Sequence, residues 1–363
     1  MTSHFEILPL RYAQRQDDTM TLLIHPPFPP MEAERETTIP EGDWQYEPKW
    51  DGFRAIIFKD GKEIYIQSKN GQPLARYFPE IVDAFHKVKS KDFVLDGEIV
   101  IPVNGVLSFD DLLLRIHPAE SRVRKLAEAT PAHYFAFDLL AWKGKSLVKQ
   151  PIEKRRAQLE KLVPLIGNDS LIQISPATTD RAVAQRWFKT PGLEGVMAKK
   201  LGEPYHSGDR AGMVKVKHLK TADCVVGGFR YGEGTKTVGS LLLGLYDDDG
   251  RLVHVGHTSS MKKADRSELT KKLEALRGKN PFEVRVPGGP SRWAVRESSE
   301  WEPVKPKLVC EVEYDYFSQG RFRHGSKFLR WRPDKNPKQC TMDQVRSQKA
   351  EGRRQKFAGL LAR

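Results

Sequence analysis

Cysteine and long apolar runs are both scarce in this chain. Its three cysteines, Cys224, Cys310 and Cys340, lie far apart in the sequence and form neither a C-x-x-C zinc pair nor a disulfide framework. No apolar stretch approaches the ~20 residues of a membrane-spanning helix, and residues 1–15 lack the continuous apolar segment of a secretory signal peptide. These absences indicate a reduced, cytoplasmic protein, and we expect no membrane partner.

Acidic side chains are too few to balance the basic ones. Among 363 residues, 60 are Lys or Arg and 47 are Asp or Glu, which gives a formal net charge of +13. An excess of this size favours a polyanionic partner, with nucleic acid as the first candidate. The hydrophobic fraction of 39% is sufficient for packed cores, and the length suits two domains rather than one.

The order of the sequence signals divides the chain into four segments. Clustered prolines between positions 26 and 30 exclude a helix there. Short strand-like and helical runs then alternate, whereas strand signals with a single helix dominate the second half, as is typical of a small barrel such as an OB-fold. The predicted segments are an extended leader over 1–29, a first domain over 30–219, a barrel domain over 220–340 with a proline-rich connector over 279–306, and a basic tail over 341–363.

Several elements of the first domain follow from local patterns. Two apolar runs flank Asp60-Gly61, which predicts a hairpin with a tight turn over 53–66. A further strand is predicted over 93–101, where polar Asp96-Gly97-Glu98 interrupts an apolar run and so points to function. Spaced apolar residues predict helices over 152–163 and 180–188.

The first stretch that suggests chemistry is Lys49-Trp50-Asp51-Gly52-Phe53-Arg54. A lysine amine attacks a phosphoryl or carbonyl centre only when it is neutral, so it needs surroundings that lower its pKa. On its own, the pattern K-x-D-G-x-R fits an exposed turn at the entry to a strand equally well. The motifs further along the chain decide between these interpretations.

Further motifs follow Lys49 in a fixed order. They are Ser68-Lys69-Asn70-Gly71, Asp96-Gly97-Glu98, Phe135-Ala136-Phe137-Asp138-Leu139-Leu140, Glu194-Gly195-Val196-Met197, Lys215-Val216-Lys217 and Arg332-Pro333-Asp334-Lys335. This set is similar to that of the covalent nucleotidyltransferases, which include DNA ligases, RNA ligases and mRNA capping enzymes. Over roughly 26–345 the chain most resembles the small bacterial ATP-dependent DNA ligases of the ligase C type. The resemblance implies an α+β fold, with an adenylation (nucleotidyltransferase) domain of antiparallel sheets and flanking helices followed by a β-barrel OB-fold domain.

The resemblance also implies roles around ATP. Lys49 would attack the α-phosphate to give a lysyl-AMP intermediate, with Glu194 holding Mg²⁺ or Mn²⁺ and Glu98 contacting the ribose or the metal. Lys215 and Lys217 are two residues apart, so on a strand both ammonium groups point to one face, where the α-phosphate would be their anion. Chemistry of this kind needs cations around the phosphates and carboxylates for the metal.

Four more positions in the first domain match nucleotide-binding residues of the family. Phe137 would stack on adenine, Glu47 would recognise the adenine amino group, and Arg54 would contact the nucleotide sugar and the nick. Lys69 stands where arginine is commoner in the family. Lysine keeps the charge but lacks the bidentate fork for phosphate, so the grip on the 5′-phosphate of a nick is an open question.

The last motif belongs to the second domain. In similar enzymes it closes over ATP and orients the leaving pyrophosphate, which assigns Arg332 and Lys335 to ATP binding. Such closure implies a hinge near 218–222 that lets the barrel swing away so that DNA can enter.

The leading hypothesis is an ATP-dependent DNA ligase that seals nicks in duplex DNA, acting as a nucleoid-associated monomer in repair. RNA ligases and capping guanylyltransferases share Lys49 and the paired lysines, although Glu47 favours adenine and the motif at Arg332 argues against capping. An NAD-dependent ligase is less favoured because only 48 residues precede Lys49 and no zinc module is present. A non-catalytic DNA-binding protein on a ligase scaffold is the alternative from another class, and the workable residue at every charged catalytic position argues against it.

Overall fold

The computed structural model describes residues 22–167, 171–190, 192–218, 220–285, 287, 300–323 and 325–346. Most of the predicted leader and most of the predicted basic tail lie outside the described residues. The chain divides into two compact units, the first reaching Lys217 and the second beginning at His218. No helix in the described ranges combines the length and the apolar character needed to cross a membrane.

The first unit alternates short strands and helices. Its strands are β1 (Glu34–Glu36), β2 (Trp44–Lys49), β3 (Phe53–Asp60), β4 (Glu63–Ser68), β5 (Asp92–Val100), β6 (Pro102–Val103), β7 (Val106–Leu107), β8 (His133–Trp142), β9 (Lys145–Ser146), β10 (Ile172–Ile174), β11 (Gly195–Lys200) and β12 (Met213–Lys217). Its helices are α1 (Pro79–Lys87), α2 (Phe109–Arg115), α3 (Glu120–Ala129), α4 (Ile152–Ile166) and α5 (Arg181–Lys189). The predicted hairpin, the strand over 93–101 and both predicted helices are confirmed within a few residues at their ends.

Two larger sheets organise the first unit, beside the small β6–β7 hairpin. Their strand orders are β1-β12-β11-β2 and β10-β8-β5-β3-β4, with β9 added beside β8. The pairs β1–β12 and β10–β8 are parallel, and the other pairs in these sheets are antiparallel. Along β3, Ala55 and Ile57 join one buried cluster while Ile56 and Phe58 join another. Both faces of this strand are therefore covered, which is why its sequence is a nearly continuous apolar run.

The described end of the predicted leader is part of the first unit. Residues 22–29 contain no helix or strand, as the prolines predict. Leu22 and Ile24 are nevertheless buried, and the backbone N–H of Phe28 donates to Gln67 Oε1 at 2.8 Å while Gln67 Nε2 donates to the Phe28 carbonyl at 2.7 Å. This segment is thus fastened to β4.

The second unit is a mostly antiparallel assembly of strands with a helix packed on it. Its elements are β13 (Lys220–Tyr231), β14 (Val238–Tyr246), β15 (Leu252–Thr258), α6 (Arg266–Glu274), β16 (Glu302–Tyr314), β17 (Phe317–Ser318), β18 (Arg321–Phe322) and β19 (Lys327–Trp331). Five of these strands form a sheet in the order β15-β14-β13-β16-β19. Its outer strands are joined by a single bridge between Thr258 and Ser326 rather than by a full ladder, so the described strands form an open sheet.

The predicted connector over 279–306 is partly wrong, because β16 already begins at Glu302. The strand contains Pro303 and Pro306, which cannot donate backbone hydrogen bonds. Its register against β13 shifts between the pairs Gly228–Pro303 and Val226–Leu308. Prolines are tolerated in strands at such irregularities, so the pattern that suggested a connector marks a distorted part of the strand.

All three cysteines lie buried in the core of the second unit as free thiols. Cys224 and Cys310 are direct partners across β13 and β16. Burial, with a smaller effect from the neighbouring thiols, raises the pKa of Cys224, and burial raises the pKa of Cys340 to about 11. Protonated, buried thiols are poor nucleophiles and metal ligands, so these cysteines act as core residues.

Candidate active site

Strand register gathers the predicted reactive residues on one face of the β1-β12-β11-β2 sheet. Gly195 of β11 lies opposite Lys49 on β2 and opposite Lys217 on β12. Two residues further along β11, Met197 lies opposite Glu47. Because side chains alternate along a strand, all these positions share a face.

Lys215 completes this face, since it also lies opposite Met197, from the β12 side. The opposite face is apolar: Tyr46, Val196 and Val216 belong to a buried cluster with Ala184 of α5. The apolar face of this sheet packs on helix α5, and this packing holds the sheet so that the charged side chains lie together on its other face.

Glu194 stands between two lysines. Lys49 Nζ donates to Glu194 Oε2 at 2.5 Å, and Lys217 Nζ lies 2.6 Å from Glu194 Oε1. The Glu194 backbone N–H donates to the Lys49 carbonyl at 3.2 Å, which anchors the acid beside the strand end. The three side chains are only 19–21% exposed, so solvent screens these ion pairs weakly.

The charge states of this cluster follow from burial and ion pairing. Burial lowers the pKa of Lys49, but the carboxylates of Glu194 and Glu98 together outweigh burial and raise it. Burial raises the pKa of Glu194, but Lys49 and Lys217 outweigh burial and lower it. Lys49 therefore carries a proton in the site without nucleotide, so the expectation that its surroundings lower its pKa is wrong for this state.

Two glycines allow the strands around Lys49 to approach this closely. A Cβ on Gly195 would lie 2.0 Å from the carbonyl oxygen of Val216. A Cβ on Gly52 would lie 2.2 Å from the carbonyl oxygen of Ile99. Both distances are too short for any side chain, so the glycines of the K-x-D-G and E-G motifs are required by backbone packing.

Phe137 occupies a bulge in β8. Asp96 pairs with Asp138 and Gly97 pairs with Ala136, which leaves Phe137 as the extra residue between them. Its ring is partly exposed in a strand that is otherwise almost entirely buried. Bulges re-aim side chains next to functional sites, and this one presents an aromatic face where a planar base can stack.

Two cations lie over the Phe137 ring. The Arg54 guanidinium carbon is 5.3 Å and Lys199 Nζ is 4.7 Å from the ring centroid. Lys199 Nζ also lies 3.0 Å from Glu47 Oε1. The ring and Glu47, both predicted to bind adenine, are thus brought together around a lysine that the sequence analysis did not select.

Arg54 is held by a buried acid. Its Nε donates to Asp96 Oδ1 at 3.0 Å and its Nη2 donates to Asp96 Oδ2 at 2.6 Å, a bidentate pair. The Tyr205 hydroxyl donates to the same Asp96 Oδ2 at 2.7 Å. Asp96 is fully buried, so Arg54 is fixed in place before any ligand arrives.

Glu98 provides a second carboxylate beside the lysine cluster. Burial is the main reason that its pKa rises to about 8, with Lys49 and Arg54 opposing the rise and Glu194 adding to it. Among the described residues no group of three or more His, Cys, Asp or Glu side chains is arranged to hold a metal ion. Mg²⁺ needs only one or two carboxylates when substrate phosphates complete its shell, and Glu98 with Glu194 fits that donor set.

Lys69 lies at an exposed edge of the first unit. Its Nζ is 3.3 Å from Glu32 Oε1, and Arg210 Nε is 3.2 Å from Glu32 Oε2. Both cations contribute to lowering the pKa of Lys215. The predicted phosphate-binding lysine is therefore one of a pair with Arg210, which the sequence analysis did not select.

In the second unit, Arg332 and Lys335 share one acid. Arg332 Nη1 donates to Asp223 Oδ1 at 2.9 Å and to Asp223 Oδ2 at 3.0 Å, while Lys335 Nζ donates to Asp223 Oδ2 at 2.6 Å. Arg332 also pairs with Asp334 of its own motif at 2.8 Å. The two predicted ATP-binding cations are thus held close together by Asp223.

Two family models match successive parts of the chain. The family model described as ATP dependent DNA ligase domain matches residues 30–217, and the model described as ATP dependent DNA ligase C terminal region matches residues 234–335. The chain belongs to the ATP-dependent DNA ligases.

Similarity to individual proteins identifies the type of ligase more narrowly. It is 45% identical over 340 residues to DNA ligase C1 of Mycolicibacterium smegmatis, which covers 90% of this chain and 96% of the relative. It is 44% identical over 352 residues to DNA ligase C of Mycobacterium tuberculosis, again covering 90% of this chain and 96% of the relative. The ligase is therefore a bacterial enzyme of the ligase C type that uses ATP as co-substrate.

The solved structures support the α+β fold of the ligase. A structure titled as a Lig E DNA ligase has a TM-score of 0.54, is 18% identical in sequence and covers 84% of this chain and 99% of that chain. At this identity the likeness concerns the fold alone. It agrees with the adenylation and OB-fold arrangement that the motif order predicts.

Proposed function

We propose that Lys49 is the nucleophile with which this ligase captures AMP and seals nicks between a 5′-phosphate and a 3′-hydroxyl in duplex DNA. The observation that carries the proposal is the cluster of Lys49, Glu194 and Lys217 at the meeting point of β2, β11 and β12. A lysine at this position has cations beside it for phosphate and a carboxylate within reach of its ammonium group.

The first step joins Lys49 to AMP. The amine of Lys49 attacks the α-phosphorus of ATP, so that an N–P bond forms while the P–O bond to pyrophosphate breaks. The ammonium group must lose its proton to solvent first, because Glu194, which contacts it, has a lowered pKa and is a proposed metal ligand. Lys215 and Lys217 neutralise charge on the phosphate, as the positioning and electrostatic character of phosphoryl transfer requires.

Glu98 and Glu194 would hold Mg²⁺ or Mn²⁺, which would neutralise charge on the phosphates of bound ATP. Adenine would stack on Phe137, and its amino group would donate a hydrogen bond to Glu47. Arg54, held by Asp96, would face the nucleotide sugar and later the nick. Arg332 and Lys335 of the second unit would orient the pyrophosphate.

The next two steps transfer AMP to DNA and release it. A 5′-phosphate oxygen attacks the phosphorus of lysyl-AMP, the P–N bond breaks, and Lys49 regains a proton. The 3′-hydroxyl then attacks the 5′-phosphorus, so that a phosphodiester forms and AMP leaves. Lys69 and Arg210 would hold the 5′-phosphate. The guanidinium group of Arg210 would supply the bidentate hydrogen bonds to phosphate that the ammonium group of Lys69 cannot make.

We also propose DNA repair in the cytoplasm, at the nucleoid, as the setting of this activity. The support is that more distant relatives carry names such as multifunctional non-homologous end joining DNA repair protein LigD in Mycobacterium tuberculosis, at 31% identity over 307 residues, covering 83% of this chain and 37% of that relative. Action as a monomer stays a prediction.

The test is to incubate the ligase with ATP and magnesium and then with singly nicked duplex DNA. Intact-mass measurement should show addition of one AMP, and gel analysis should show joined strands. Lys49→Ala should abolish both signals because it removes the proposed nucleophile, and Lys217 contacts the other carboxylate oxygen of Glu194 from β12. Lys200→Met, at an exposed position on β11, is the matched control and should behave as the parent protein.

Parallel substrates distinguish the alternatives. ATP and GTP labelled on the α-phosphate, NAD, and duplexes nicked in DNA or RNA are offered under the same conditions. Preferential GTP labelling would indicate a capping enzyme, preferential sealing of RNA would indicate an RNA ligase, and labelling from NAD would indicate the NAD-dependent class. The absence of any adduct would leave a DNA-binding protein without this chemistry.

A further inference from the structure

Lys199 is a buried lysine at the base of the proposed adenine site. It is 5% exposed, and Glu47 beside it is 2% exposed. Its ammonium nitrogen lies 3.0 Å from Glu47 Oε1 and donates to the carbonyl oxygen of Phe137 at 3.2 Å. The same nitrogen lies 3.8 Å from Asp138 Oδ2. One ammonium group therefore connects the carboxylate and the strand segment that carries the aromatic ring.

Two side chains contact the same carboxylate oxygen of Glu47. Gln45 Nε2 donates to Glu47 Oε1 at 2.7 Å, and the ion pair with Lys199 is made by the same Oε1. Among the described residues, no hydrogen bond to Oε2 is found. The carboxylate is thus clamped through one oxygen and presents the other as an acceptor.

An acceptor-only group distinguishes the bases by chemistry. Adenine carries an amino group at position 6, which can donate to a carboxylate, whereas guanine carries a carbonyl oxygen there, which the carboxylate repels. Lys199 Nζ and Gln45 Nε2 both contact Oε1, so loss of the ammonium group would free the carboxylate to turn away from the position that receives the adenine amino group. A Glu47 carboxylate that is no longer held in this position would discriminate less between adenine and guanine.

We propose that Lys199 is the positioning residue that sets base selectivity in this ligase, by keeping Glu47 a clamped carboxylate whose Oε2 accepts from the adenine amino group. The proposal rests on the proposed function, because it assumes that ATP occupies the site beside Lys49. It assigns to Lys199 no contact with the reacting phosphates.

The experiment measures the specificity constant for formation of the covalent nucleotidyl adduct with three triphosphates: ATP, GTP and purine riboside triphosphate, which lacks the amino group. Lys199→Met removes the ammonium group at similar length, Lys199→Arg restores a cation, and Lys200→Met is the neighbouring control. For Lys199→Met, the preference for ATP over each analogue should fall by at least about tenfold, since selectivity of this kind depends on a polar group left unpaired by the wrong base. Lys199→Arg should recover most of the preference.

The ratio of the specificity constant for ATP to that for each analogue separates a positioning effect from damage to the fold. A purely structural loss would lower the constants for all three nucleotides equally, and an unchanged preference in folded Lys199→Met would overturn the proposal. If Lys199→Met does not fold, Gln45→Met removes the other clamp on Oε1, and the same fall in preference, smaller in size, is expected. An unchanged preference in that variant also overturns the proposal. Failure of the parent protein to form any adduct would instead contradict the proposed function.

Discussion

Lys215 shows how a single residue can be prepared for an anion. Burial is the largest cause of its lowered pKa, and the charged neighbours that lower it further are all cations: Lys217, Lys49, Lys69 and Arg210. Like charges held this close are unfavourable until an anion joins them. The triphosphate of ATP is an anion of the right chemistry, so part of its binding free energy comes from relief of this repulsion.

Lys215→Met should weaken ATP binding by about 10- to 100-fold, the usual effect of losing one charged hydrogen bond. Calorimetric titration in the Lys49→Ala background measures this without covalent capture. A lowered lysine pKa means that the charge is present at low pH and is lost as pH rises through the lowered value. ATP affinity should therefore decline with rising pH earlier than for an ordinary lysine, and this part of the pH profile should be missing from the variant. Equal affinity in both proteins would contradict the assignment.

At the scale of elements, a buried ion pair fastens α4 to β8. Arg155 Nε donates to Asp138 Oδ1 at 2.8 Å and Arg155 Nη2 donates to Asp138 Oδ2 at 3.0 Å, with both side chains 1% exposed. Burial would raise the pKa of Asp138, but Arg155 and then Lys199 outweigh burial and lower it. Asp138 directly follows Phe137, so this pair also holds the strand that presents the proposed adenine platform.

Arg155→Met should destabilise this region by about 3–5 kcal/mol, because it leaves Asp138 buried without its main cation. Hydrogen exchange of peptides covering β8 measures the effect locally, which suits a chain of two units better than a single unfolding transition. Asp138→Asn combined with Arg155→Met should recover part of the loss, since the unpaired charge is then absent. Unchanged exchange in β8 of the single variant would show that the pair contributes nothing.

The same ion pair predicts a pH dependence. Since the pKa of Asp138 is lowered in the folded state, its stabilising effect is present above the ordinary aspartate pKa and is lost as pH falls through the lowered value. The parent protein should therefore lose protection of β8 on acidification more steeply than the double variant Asp138→Asn/Arg155→Met, in which this titration is absent.

At the scale of the whole molecule, the proposed chemistry is divided between two units. Lys49 and its phosphate-binding neighbours belong to the first, and Arg332 and Lys335 belong to the second. The basic residues behind the net charge of +13 are correspondingly not all part of one uniform surface. Part of it is built into ion pairs with Glu194 and with Asp223, where cations are prepared for phosphates that arrive with the substrate.

Lys335→Met should lower the rate of self-adenylylation by about 100-fold or more, as removal of one preorganised charged group from a transition state typically does. Sealing of a nick that already carries AMP on its 5′-phosphate should fall far less, because no pyrophosphate leaves in that reaction. Rapid-quench assays of the two reactions measure the separation. Lys338→Met, at an exposed position of the same unit, is the control. An equal loss in both reactions would mean that Lys335 serves the fold or DNA binding instead.

The sequence by itself determined the order of motifs, the hairpin and the helices that frame them, and the family to which they point. These features depend on local patterns, such as Asp60-Gly61 at a tight turn and the alternation of Lys215 with Lys217. The roles inferred for individual residues from the resemblance stay predictions until the variants above are measured.

Tertiary structure alone decided which distant residues meet. Lys49 and Glu194 are 145 positions apart, and only the register of β2, β11 and β12 places Glu194 between Lys49 and Lys217. The same holds for Lys199, which is an unremarkable strand lysine until pairing puts it beside Glu47, and for Phe137, which the bulge against β5 turns outward. Side-chain alternation is a local property, whereas register is set by packing between strands that close long loops. That is why the contacts of Glu194 with Lys49 and Lys217, and of Lys199 with Glu47, lay beyond the sequence pattern.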